Sequence, residues 1–98
     1  TNRFTVAQLF PDEDPQVTLR RALKALTVEE YLRTVKDTRF SKRSEMREFG
    51  KVYNDKDEVY IKIRVELLDP RCFGNHTTFV MSFHFSTVPF SQKTFPYC

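Results

Sequence analysis

Residues 58–67 read EVYIKIRVEL, and no other stretch constrains the fold as tightly. Val59, Ile61, Ile63, Val65 and Leu67 point one way, while Glu58, Tyr60, Lys62, Arg64 and Glu66 point the other. Unbroken alternation of period two, rich in β-branched residues, is the pattern of a strand with one buried face. The opposite face carries a tyrosine, a lysine and an arginine in a row. Such a row is commonly no more than a solvated surface, so the surrounding chain has to decide what it does.

A chain of 98 residues supports one core and buries roughly two-thirds of its surface, which predicts a single domain over 1–98. Ten phenylalanines against two glycines and no tryptophan suggest that this core is sheet-rich. The net charge of +3 is unevenly spread. Residues 33–51 hold Arg33, Lys36, Arg39, Lys42, Arg43, Arg47 and Lys51 against Asp37, Glu45 and Glu48, a balance that hints at a polyanionic partner. No apolar run reaches the roughly 18 residues a spanning helix needs, so no membrane partner is expected. The start shows no charged-then-apolar leader pattern. Cys72 and Cys98 form no C-x-x-C and read as free thiols of a reducing cytoplasm.

Asn2–Leu9 fits either a short edge strand or a turn of helix. Asp14-Pro15 reads as an N-cap followed by proline at the first helical position. The helix it opens runs to about Leu26, with Leu19, Ala22, Leu23 and Leu26 on one face. Thr27 followed by Glu30 is a capping-box pattern and predicts a second helix to about Asp37, with Tyr31, Leu32 and Val35 on its apolar face. Thr38–Ser44 is a basic connection. Glu45–Tyr53 reads as a strand weakened or bulged at Gly50. Asn54–Asp57 is a four-residue turn into residues 58–67, forming a hairpin. Asp69–Thr78 is a longer loop. Phe79–Phe85 is a third strand, with Phe79, Met81, Phe83 and Phe85 on its buried face. The tail from Val88 to Cys98 is an extended segment pinned by its aromatic residues. The expected architecture is α+β, with N-terminal helices packed on one face of a small antiparallel sheet.

A symmetric hairpin sets Tyr53 opposite Glu58, and therefore Lys51 opposite Tyr60, Phe49 opposite Lys62 and Arg47 opposite Arg64. Directly opposite residues share a face. With the third strand on the far side, Ser82 and His84 join them. One surface then carries Arg47, Lys51, Tyr60, Lys62, Arg64 and His84, an arrangement that a slip of one residue destroys.

That set of side chains suits cleavage of an RNA phosphodiester without a metal. A base takes the 2′-hydroxyl proton, an acid protonates the leaving 5′-oxygen, and cations stabilise the charge gathering on phosphate. Lysine and arginine supply the last, and His84 or Tyr60 the proton transfer, histidine being the easier candidate near neutral pH. A metal site is not expected, because only His76 and His84 exist and no acid/histidine cluster accompanies them. Ser82 and His84 lack the G-x-S-x-G setting of a hydrolase triad.

LTVEEYL (26–32), FGKVYNDKDEVYIKIRV (49–65), SFHFSTVPF (82–90) and FPY (95–97) resemble, in order and spacing, the motifs of MqsR-type toxins. These are small RelE-like RNases of bacterial type II toxin–antitoxin systems, and the resemblance covers about residues 2–97. It implies a RelE-like fold, sequence-preferring mRNA endonuclease (mRNA interferase) activity and inhibition by a cognate antitoxin protein; no cofactor is expected, and the ribosome is a further candidate partner. It also implies that Tyr60, Lys62, His84 and Arg47 are catalytic and that Arg33 binds RNA, while Lys51 and Arg64 are expected to bind RNA from their place on the shared face. The chain departs from the pattern at Ser86-Thr87-Val88, where an Ala-Glu pair is expected, and in its longer Pro70–Thr78 loop. Two other readings stay open. One is a non-catalytic module binding single-stranded RNA on its aromatic and cationic sheet face. The other is an inactive toxin homologue that acts through protein–protein contact.

Overall fold

The alternating stretch becomes the long inner strand of a four-stranded antiparallel sheet. A computed structural model describes residues 2–39, 44–67 and 76–98. Helix α1 (Asn2–Leu9) and helix α2 (Pro15–Lys24) lead into a 3-10 turn at Val28–Glu30. Strands β1 (Tyr31–Val35), β2 (Met46–Tyr53), β3 (Asp57–Leu67) and β4 (His76–Phe85) follow, neighbouring one another in chain order. A second 3-10 turn, Phe90–Gln92, begins the tail.

Asn2–Leu9 resolves as helix, burying Thr5, Val6 and Leu9. Helix α2 starts where the Asp14-Pro15 pair places it: the Asp14 carboxylate accepts from the Gln16 N–H at 2.9 Å and the Val17 N–H at 3.3 Å. Its apolar face packs as expected, with Ala22 buried and Leu19, Leu23 and Leu26 against the core. Both helices lie on one face of the sheet. There Val6 and Leu9 meet Val59 and Ile61 from β3, Phe83 from β4 and Tyr53 from β2. Each such fully buried side chain contributes roughly 1.5–3 kcal/mol.

The predicted second helix does not form. Thr27 and Glu30 do make their reciprocal cap, the Thr27 N–H donating to Glu30 Oε1 at 2.9 Å, but it closes a single 3-10 turn. The chain then leaves as β1. Tyr31, Thr34 and Val35 favour strand, and pairing with β2 satisfies their backbone while setting the Tyr31 ring edge-on to Phe49 at 5.8 Å. Tertiary pairing overrides the helical spacing.

The hairpin forms with a different register. Asn54 and Asp55 take φ of 54° and 61°, the left-handed pair that tight hairpins favour, and the Lys56 N–H closes back onto the Tyr53 carbonyl at 3.1 Å. Asp57 thereby becomes a strand residue opposite Tyr53, which sets Gly50 against Tyr60, Phe49 against Ile61 and Glu48 against Lys62. Arg47 and Lys51 now face the helices beside Ile63 and Val59 rather than sharing a surface with Tyr60 and Lys62.

Strand β4 is longer than expected and bulged. Ser82 pairs with Lys62 and Val80 with Ile63, so Met81 is the extra residue. Past the bulge the faces exchange. Val80 takes the core position, and Phe79 and Met81 stay 42% and 45% exposed. Gly50 is a regular strand residue without a bulge. A Cβ there would come within 2.9 Å of the Phe90 and Phe95 rings, so its bareness lets the tail lie across the sheet. The Phe90 N–H donates to Glu58 Oε1 at 3.1 Å and the two rings meet edge to face at 5.4 Å, which pins the tail by its aromatics.

Residues 40–43 of the expected 38–44 connection and residues 69–75 of the expected 69–78 loop, with Cys72, lie outside the described residues. Cys98 is exposed. Among the described residues no helix is long and apolar enough to cross a membrane.

Candidate functional site

The sheet face away from the helices collects Tyr60 and Lys62 from β3, Ser82 and His84 from β4, and Arg33 and Glu48 from β1 and β2. Tyr60 stands opposite His84, and their rings stack with centroids 5.2 Å apart and planes inclined by 30°. Lys93 reaches back from the tail, its Nζ 5.5 Å from the Tyr60 ring centre. Tyr60, His84, Ser86, Thr87 and Lys93 enclose a recess of about 120 Å³.

Beneath these groups lies Glu48, only 5% exposed. Arg33 Nε donates to its Oε1 at 2.8 Å, and the Tyr60 hydroxyl is a second hydrogen-bond donor to the carboxylate. Burial alone would raise the Glu48 carboxyl. The hydrogen bonds from Arg33 and Tyr60, with the charges of Arg33 and Lys62, outweigh that and hold it below its ordinary value. For Tyr60, burial, then the hydrogen bond to Glu48 and its charge, push the phenol up against the pull of Arg33. Tyr60 is therefore a neutral hydrogen-bond donor in the neutral range, and Glu48 an ionised acceptor.

His84 is exposed, and its Nδ1 lies 2.9 Å from the Phe85 carbonyl oxygen. A carbonyl only accepts, so Nδ1 carries the hydrogen and the Nε2 lone pair is left to take a proton. Protonation at Nε2 leaves that backbone bond intact.

The other sequence-expected residues are dispersed. Arg64 is on the same face but 3% exposed, paired with the Asp37 carboxylate. Lys51 pairs with Glu30 at 2.8 Å on the helix side. Arg47 lines an apolar groove of about 530 Å³ with Leu26, Phe49 and Ile63, also on the helix side. Arg33 joins the site by holding Glu48. Glu48 and Lys93 were not singled out from the sequence. A three-residue hairpin loop would have placed Glu48 opposite Lys62, whereas nothing local marks Lys93, which arrives through the folding back of the tail. Among the described residues no three His, Cys, Asp or Glu side chains gather as a metal site.

Comparison of the chain with protein-family models, curated proteins and solved structures yields no match.

Proposed function

We propose that the chain is a metal-independent endoribonuclease that cleaves mRNA, a toxin of the MqsR type held silent by a cognate antitoxin. The observation that carries this reading is the convergence of His84, Lys62 and Lys93 around Tyr60 on the open sheet face. In this mechanism His84 Nε2 takes the proton of a 2′-hydroxyl. The freed 2′-oxygen attacks the adjacent phosphorus, the bond to the 5′-oxygen breaks as that oxygen takes a proton from the Lys93 ammonium, and a 2′,3′-cyclic phosphate remains. Lys62 and Lys93 offer N–H donors to the phosphate as its charge grows. Tyr60 is a positioning residue: its ring supports the imidazole, and its hydroxyl, tied to Glu48, fixes the ring.

The Tyr60–His84 stack with Lys93 also favours a second reading, a non-catalytic module in which rings and cations hold single-stranded RNA. Incubation with mixed-sequence single-stranded RNA in EDTA, followed by end mapping, separates the two. Cuts ending in 2′,3′-cyclic phosphate support the nuclease. Salt-sensitive binding with intact RNA, unchanged when translating ribosomes are added, supports the module.

A further inference from the structure

The chain has two methionines, and both line one groove. Met46 sits on β2 and Met81 on β4, and they line the groove from either side of β3 on the open face, beside Lys62 and Ser82. Lys36 and Arg39 border the same groove, whose volume is about 470 Å³. Alternation alone would send Met81 under the helices with Phe83 and Phe85. The bulge turns it out instead, so that Met81 and Ser82 both stand against Lys62. Bulges re-aim side chains in this way beside functional sites.

The chemistry of the groove is specific. Two polarizable thioethers give this otherwise polar groove apolar surface on which a flat ring can rest. Lys36, Arg39 and Lys62 supply positive charge at its border, the two carboxylates that also line it, Asp37 and Glu48, are paired with Arg64 and Arg33, and the Ser82 and Thr38 hydroxyls can meet a polar ring edge. A flat heterocycle attached to an anion is an unpaired nucleotide, which is how single-stranded RNA is read. From Met81 to His84 is three residues along one strand, or about 10 Å. A base in the groove and a phosphodiester at His84 thus belong to neighbouring nucleotides of one strand.

We propose that the Met46–Met81 groove is the base-recognition subsite that selects where the RNA is cut, with Met81, re-aimed by the bulge, as its specificity-determining residue. This rests on the nuclease reading of the adjacent face. The test uses protein labelled with ¹³C at the methionine methyls, the two signals assigned with Met46→Leu and Met81→Leu. It is titrated with a mixed-sequence 2′-O-methyl oligoribonucleotide, which lacks the nucleophile and stays intact. Both methyl signals are expected to shift and to saturate together with the His84 ring signals, assigned with His84→Gln. A folded Met81→Ala should bind at least about fivefold more weakly and cut unmodified RNA with a changed sequence preference. Movement of the His84 signals with both methyls still overturns the subsite and leaves the nuclease reading standing. If neither moves, and unmodified RNA also survives in EDTA, both readings fall together.

Discussion

The Tyr60 ring lies against the His84 imidazole, 5.2 Å between centroids and 30° between planes, and the hydroxyl of that tyrosine is bound to a buried carboxylate. The imidazole is thus supported on one side, while its Nδ1 is held by the Phe85 carbonyl. His84→Gln should lower RNA cleavage by about 10²–10⁴-fold, the usual worth of positioned proton transfer. Tyr60→Phe keeps the ring and should cost less than Tyr60→Ala, which removes the support. Equal losses for the two tyrosine variants in a single-turnover assay would show that the hydroxyl, rather than the ring, matters.

Glu48 makes the site sensitive to acid. Its folded carboxyl sits below its ordinary value of 4.5, so its stabilising contribution is present above that value and is lost as pH falls through the folded one. Urea midpoints measured from pH 3 to 7 should fall on the acid side for the wild type. Glu48→Gln should flatten that fall and cost about 1–3 kcal/mol at neutral pH, because the buried partner bonds weaken. The same acid slope in both proteins would contradict the assignment.

Much of the fold is legible in the sequence, and the exceptions have physical causes. The Asp14 cap, the Leu19–Leu26 face and the alternation of 58–67 are local signals, and the fold keeps them. The β1 strand is not local. Its residues have helical spacing, and only the waiting edge of β2 makes them extended. The hairpin register turned on Asn54 and Asp55 adopting positive φ, which shortened the loop by one residue and exchanged Arg47 and Lys51 for Glu48 and Gly50 on the open face. Tyr60, Lys62 and His84 share the open face as the alternation places them, because they lie on β3 and β4, whose pairing near them is regular.

Gly50 links the tail to the site. In Gly50→Ala the new methyl meets the Phe90 and Phe95 rings, and the tail must move. Lys93 then leaves the Tyr60 ring. Cleavage should drop while the core is retained, seen as loss of tail aromatic contacts by NMR with the core resonances unmoved. A variant with wild-type activity and an unmoved tail would show that the rings absorb the methyl.

Arg64 and Lys62 differ in role despite sharing a face. Breaking the buried Arg64–Asp37 pair with Arg64→Met should cost roughly 3–5 kcal/mol of stability. Lys62→Ala should leave stability nearly unchanged and reduce the salt dependence of RNA binding by about one unit of slope. Denaturation curves and binding isotherms at several salt concentrations check both. A weakened salt slope for Arg64→Met with unchanged stability would reverse the assignment.

The most direct test of the open face as the RNA-cleaving surface is a parallel digestion in EDTA of single-stranded RNA by wild type, Lys62→Ala, His84→Gln and Arg47→Ala. Wild type and Arg47→Ala should cut at the same short sequences and leave 2′,3′-cyclic phosphate ends, because Arg47 faces the helices. Lys62→Ala and His84→Gln should be folded and at least about 100-fold slower. Intact RNA with the wild type, in the presence and absence of translating ribosomes, or an Arg47→Ala protein as inactive as Lys62→Ala, would contradict the account.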